Sequence, residues 1–167
     1  MVLWFTGTAM IAMWFTFRDP AIDHRFVIVG ALIPEVVSAF SAQASFTHNL
    51  FIPIVLMGVL MLLTIGRRQI RRKGIAIPIG MFWHLIFDGA WANASLFWWP
   101  LGSVFGKGTP VAVGERSFGI MLLLELLGLF LCGWFWLLAG LNDRDRRQRF
   151  LRAGRLDRDV TERGSED

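Results

Sequence analysis

The sequence predicts an all-α fold: a polytopic helical membrane protein with about five transmembrane segments. Three observations carry this expectation. Of 167 residues, 54% are hydrophobic and 18% charged, with a mean hydropathy of +0.51. A water-soluble domain of this size hides only about two thirds of its surface on folding, too little to conceal that much apolar side chain. The charges are also segregated: residues 1–140 hold nine Lys/Arg and six Asp/Glu, whereas the last 27 hold eight and seven. Finally, five apolar stretches approach the 17 to 25 residues, roughly, that a helix needs to cross a hydrocarbon core of about 30 Å.

The first stretch, Val2 to Phe17, is bounded by Arg18, Asp19 and Pro20. It has no positive n-region and no small-residue cleavage pattern, so it is expected to stay as a membrane segment rather than leave as a signal peptide. The second, Phe26 to Ala44, contains Gly30 and Pro34. Proline removes a backbone donor and disfavours helical geometry at the preceding residue, which predicts a kink or break just before Glu35. The third and fourth run from Leu50 to Gly66 and from Ile75 to Leu96, and the fifth from Phe118 to Gly140. The single cysteine, Cys132, lies inside the fifth run with no second ligand beside it, and reads as a packing or lipid-facing residue.

Orientation follows from the short links. Arg67 to Lys73 brings five positive charges and no negative one, the strongest inside signal in the chain. The arginine-rich tail falls on the same side of an odd number of segments. Between them, Phe97 to Ser117 carries few charges and opens with Trp98, Trp99 and Pro100, residues suited to the membrane interface. The expected topology in a cell inner (plasma) membrane is N-terminus outside and C-terminus cytoplasmic. Residues 1–141 form the transmembrane domain; residues 142–167 form a charged cytoplasmic tail, with a short interfacial helix near Arg144 to Leu156 that frays into disorder. Basic groups confined to the flanks of apolar segments argue against nucleic acid as a partner and for membrane lipid.

Ionisable groups inside a bilayer are costly and mark sites or helix ties. Four stand out: Glu35, His84, Asp88 and Glu125. His84 and Asp88 are four apart and share one helix face. At 1.5 Å per residue they lie about 14 and 20 Å from the inner end of their segment, and Glu35 about 14 Å along its own. His48 joins them if the turn before the third segment folds inward. Two imidazoles and two carboxylates make a nitrogen and oxygen donor set suited to a divalent ion, zinc above all. Asp23 joins only if the second segment is broken; otherwise it caps that helix through the amides of Arg25 or Phe26. Glu125 has no basic neighbour in sequence and is expected either to hydrogen-bond another helix or to support a histidine.

This pattern resembles the YdjM-type membrane-bound metal-dependent hydrolases, in particular their short actinobacterial relatives. The similar stretches are Gly30-Ala31-Leu32-Ile33-Pro34-Glu35, then His48-Asn49, then His84-Leu85-Ile86-Phe87-Asp88-Gly89, with Asp19-Pro20-Ala21-Ile22-Asp23 upstream. They span roughly residues 4 to 100. The chain departs from that pattern where an aspartate is replaced by Glu35, where serine is replaced by Asn49, and where Trp-His-x-Gly reads Trp4-Phe5-Thr6-Gly7. The resemblance implies a membrane-embedded metal-dependent hydrolase acting on ester or phosphoester bonds of lipid-related or lipid-linked substrates. The ion would be held by Glu35, His48, His84 and Asp88, with Asp23 as a further ligand, and Glu35 or Asp88 would serve as the catalytic carboxylate. The competing expectation is a noncatalytic integral membrane protein, an assembly or stress-response factor, whose polar pairs tie helices together.

Overall fold

The computed structural model describes residues 1–17, 22–40, 47–100 and 116–156. Their regular structure is all helical, with no strand among the described residues: α1 (Val2–Phe17), α2 (His24–Phe40), α3 (Phe51–Leu63), α4 (Arg68–Gly74), α5 (Ala76–Asp88), a 3₁₀ turn (Ala90–Ala92), α6 (Ala94–Phe97), α7 (Phe118–Leu138) and α8 (Arg144–Ala153). The expected outer loop from Leu101 to Glu115 and the tail beyond Leu156 lie outside the described residues.

Each predicted segment coincides with a helix, but the lengths differ. Only α7, with 21 residues, is long and apolar enough to cross a membrane by itself among the described residues. At 1.5 Å per residue it spans about 31 Å. The helices α1, α2, α3 and α5 have 16, 17, 13 and 13 residues, or about 20 to 26 Å. The exterior is strongly apolar: Leu122, Leu126, Phe130 and Leu137 on α7, and Ile54, Leu62 and Leu63 on α3, are all exposed.

Three local expectations are corrected. Of the kink or break expected before Glu35 there is no break: α2 runs unbroken through Pro34, which is fully buried. Packing against the bundle thus outweighs the one lost backbone hydrogen bond and the local bias at Ile33. The fourth segment does not run continuously to Leu96. It stops at Asp88 because Gly89 adopts a left-handed conformation (φ 77°) and returns its amide to Ile86 O. Asn93 then starts α6 by accepting from the Leu96 amide. The basic link is not a loop but α4, which leads almost directly into α5. Arginine, glutamine and lysine are good helix formers, and Arg71, Arg72 and Lys73 occupy the last turn, where the helix dipole favours cations.

Two pairs of helices approach at glycines. The helix α2 packs most extensively on α5, and α1 on α7, while α1 also touches α2 and α5. A Cβ on Gly80 would lie 2.2 Å from Val27 O, and one on Gly30 would lie 2.0 Å from Ile77 O. A Cβ on Gly128 would sit 2.3 Å from the backbone of Leu3. Both crossings therefore bring main chain against main chain, the contact that small residues permit between apolar helices.

The end of the bundle nearest the basic helices is closed by α8. Asp143 caps its start by accepting from the Arg146 and Asp145 amides, which hold its carboxyl below the usual carboxylate range. Its other end is clasped by α2: Arg25 donates to Leu151 O and Arg152 O, each at 2.9 Å, and the His24 amide donates to Gly154 O at 2.9 Å. Leu156 is buried with Met10, Trp14, Phe135, Ala139 and Leu141. The tail up to Leu156 is thus a docked element of the fold.

Candidate metal centre

The Gly30–Gly80 crossing sets the site. It brings His84, one turn beyond Gly80, against the α2 backbone, with Nδ1 2.8 Å from Ala31 O. A carbonyl oxygen only accepts, so Nδ1 carries the proton and donates, which leaves the Nε2 lone pair free to bind. A backbone carbonyl behind an imidazole is the common way to fix a ligand's tautomer and tilt.

His48 arrives from the turn before α3. Asn49 holds this turn by accepting from the Ile52 amide at 3.0 Å, and the Leu50 amide donates to Phe97 O at 2.9 Å. The turn folds inward, so that His48 is 3% exposed and its Nε2 lies 3.4 Å from His84 Nε2. On the other side of the ring, Nδ1 faces Thr47 Oγ1 at 3.4 Å. Asp88, one turn after His84 on the same face, places Oδ2 3.9 Å from His48 Nε2.

These three donor atoms all lie within 4.8 Å of one another, and all three residues are buried. Among the described residues they are the one group of this kind. The spacing fits an ion. Donors at about 2.0 to 2.1 Å from a tetrahedral zinc stand about 3.3 Å apart along each edge, against 3.4 Å between the imidazoles, 3.9 Å from His48 to Asp88, and a third separation within 4.8 Å. Asp88 Oδ2 adds a second argument, being buried without any hydrogen-bond partner. An orphaned carboxylate oxygen costs several kcal/mol, on the order of what a cation would return. Two imidazoles and one carboxylate suit zinc or a similar divalent ion, with a fourth position left open.

Two residues wall the site. Phe5, fully buried on α1, lays its ring over His84 with centroids 3.9 Å apart and planes tilted by 34°. Arg116, just before α7, donates from Nη2 to Asp88 O at 2.6 Å and to Asp88 Oδ1 at 3.1 Å. Neither role is legible from spacing: only the resemblance, in which Phe5 stands where the pattern has histidine, points to Phe5, and Arg116 reads as a loop charge.

The remaining predicted ligands lie elsewhere. Glu35 is on α2, one turn beyond Ala31, and pairs with the amino group of Met1. It is not one of the three converging donors. Glu125 accepts from the Leu3 amide at 2.9 Å and faces the same amino group at 3.7 Å, tying α7 to α1. Asp23 stands at the far end of α2, where it caps the helix by accepting from the Arg25 amide and binds the Arg25 guanidinium at 2.8 Å. Burial alone would raise its carboxyl; the hydrogen bonds and charge of Arg25, with the charge of Lys73, hold it below the usual range instead. Asp23 therefore belongs to the α2–α8 clasp rather than to the metal group, because α2 is unbroken and keeps the two ends apart. His24 is held there too, with Nδ1 3.1 Å from Ile22 O and 3.2 Å from Gly154 O.

No protein-family model, curated protein or solved structure matches this chain.

Proposed function

We propose that this chain is an integral membrane protein whose His48–His84–Asp88 centre binds a divalent ion, zinc by its donor set, and catalyses metal-dependent hydrolysis of ester or phosphoester bonds in lipid-related substrates. The observation that carries the metal is the buried Asp88 Oδ2, without a hydrogen-bond partner and grouped with two imidazoles. The resemblance to YdjM-type hydrolases supplies the reaction class. When bound, such an ion offers a Lewis acid to the scissile group and makes water more acidic.

The chain's own groups divide the remaining work. His84, fixed by Ala31 O, and His48, held by its turn, would be the imidazole ligands. With Asp88 engaged as a ligand, the carboxylate left for proton transfer is Glu35. Ala31 O meets His84, and Glu35 lies one turn beyond Ala31 as Asp88 lies one turn beyond His84. Glu35 is the general base in this reading.

The membrane placement joins all five apolar helices in one layer, with α7 packed chiefly on α1 and lipid against its exposed leucines. The shorter helices reach the interface through their flanking residues. The basic α4 and α8 face the cytoplasm and the N-terminus lies outside, in the plasma membrane.

A second reading has its own support. Phe5 covers His84, and Glu35, Asp88 and Glu125 each hold a partner on another segment. That is the arrangement expected of a noncatalytic membrane protein whose polar groups tie helices together. Two measurements separate the readings. Metal analysis of washed, detergent-purified protein should find a divalent ion near one equivalent, sharply reduced by His48→Ala, His84→Ala or Asp88→Asn and little changed by His24→Ala. Glu35→Gln should keep the metal and abolish hydrolysis of ester or phosphoester lipids. Equal metal in the wild type and all three ligand variants would overturn the centre; metal without any turnover would leave the structural reading.

A further inference from the structure

The Asp88 carboxylate is used unevenly. Oδ1 accepts from Arg116 Nη2 at 3.1 Å, and the same nitrogen reaches the Asp88 backbone carbonyl at 2.6 Å. Oδ2 has no hydrogen-bond partner and lies on the side of the imidazoles. One donor gripping both the main chain and one side-chain oxygen of a residue fixes that side chain's rotation. The Asp88 side chain is 2% exposed and that of Arg116 24%, so little water competes for the contact. The guanidinium also lies at the carbonyl end of α5, where the unsatisfied carbonyls favour a cation.

A carboxylate released from such a grip has another choice, because it can offer a divalent ion one oxygen or both. With water or substrate in the position that two histidines and a single oxygen leave open, bidentate binding would raise the shell from four donors to five and crowd that position. We propose that Arg116 is the positioning residue of the metal centre: it pins Asp88 Oδ1, presents Oδ2 alone to the ion, and so preserves an open coordination position. This rests on the metal-binding reading above. Charge alone makes the contrary forecast. A guanidinium beside a cation site repels the ion, so removing it would tighten binding and leave the ligand geometry as it was.

Cobalt(II) distinguishes the two, since four-coordinate cobalt absorbs visible light far more strongly than five- or six-coordinate cobalt. Full-length protein in detergent, stripped of metal, is titrated with cobalt alongside Arg116→Met and Arg116→Lys. Wild type should give the intense four-coordinate band. In Arg116→Met the band should collapse and cobalt affinity should fall by about 10- to 100-fold, the usual effect of removing an outer partner of a ligand. The Lys variant, which keeps the charge and one donor, should recover part of the band; if the Met variant does not fold, the Lys variant decides by whether its band is weakened. An unchanged band with affinity unchanged or tighter in the folded variants would overturn the role of Arg116 while leaving the metal site standing. Failure of the wild type to bind cobalt would overturn the metal site and this role with it.

Discussion

Replacing Gly80 with alanine tests whether the close approach of α2 and α5 builds the metal centre. The added Cβ would meet Val27 O at 2.2 Å and the Ala31 amide nitrogen at 2.8 Å, both main-chain atoms that cannot rotate away. Restoring the 3.4 Å of an ordinary contact parts the two helices by about 1.2 Å. The bond from His84 Nδ1 to Ala31 O, now 2.8 Å, would open to nearly 4 Å, beyond any hydrogen bond. Overpacking costs about 1 to 3 kcal/mol, and the unpaired buried groups add about 1 to 3 kcal/mol more. The expected loss of stability is therefore about 2 to 6 kcal/mol, and losing the carbonyl behind His84 should weaken metal binding about 10- to 100-fold. Gly58→Ala on α3 is the matched control, because nothing lies within 4 Å of its added Cβ. Thermal unfolding in detergent and competition with a chelator measure the two effects. Gly80→Ala with metal affinity within twofold of wild type would refute the idea that this crossing orients His84.

Phe5→His places an imidazole where a ring already lies 3.9 Å from that of His84. It should tighten metal binding at least about tenfold by supplying a fourth donor, and lower the stability of the metal-free protein by about 1 to 3 kcal/mol through a buried unpaired nitrogen. Unchanged or weaker affinity in a metal titration would discard it. Asp23→Asn should cost about 1 to 2 kcal/mol near neutral pH, a figure kept low because the Arg25 side chain is 38% exposed. Since the folded-state pKa of Asp23 lies below its ordinary 3.8, its contribution is complete above about pH 4 and fades as the pH falls through the lowered value. Unfolding curves for wild type and variant should converge in acid; a gap that stays constant down to pH 2 would contradict the clasp. For topology, a reporter fused after Asp167 should be cytoplasmic and one inserted between residues 101 and 115 should lie outside. Both on one side would exclude the proposed arrangement.

Much of the architecture is written in local chemistry. Apolar runs between charged links specify each main helix, Asp143 and Gly154 delimit α8, and the four-residue spacing of His84 and Asp88 puts both on one face whatever surrounds them. These features depend on a residue and its neighbours within a turn or two, so periodicity and capping preferences reveal them. What the sequence by itself leaves undecided is which segments meet and how near. Pro34 looks like a break until it is seen buried in an unbroken helix. Gly30 and Gly80 look like weak points until their backbones touch and carry Ala31 O to His84. Glu35, Glu125 and Asp23 have the same chemistry as Asp88, yet they bind the Met1 amino group, the Leu3 amide and Arg25 in place of the imidazoles. Only the tertiary structure decides this, because a carboxylate's partner is set by distances of a few ångströms between helices far apart in the chain, to which local propensity contributes nothing.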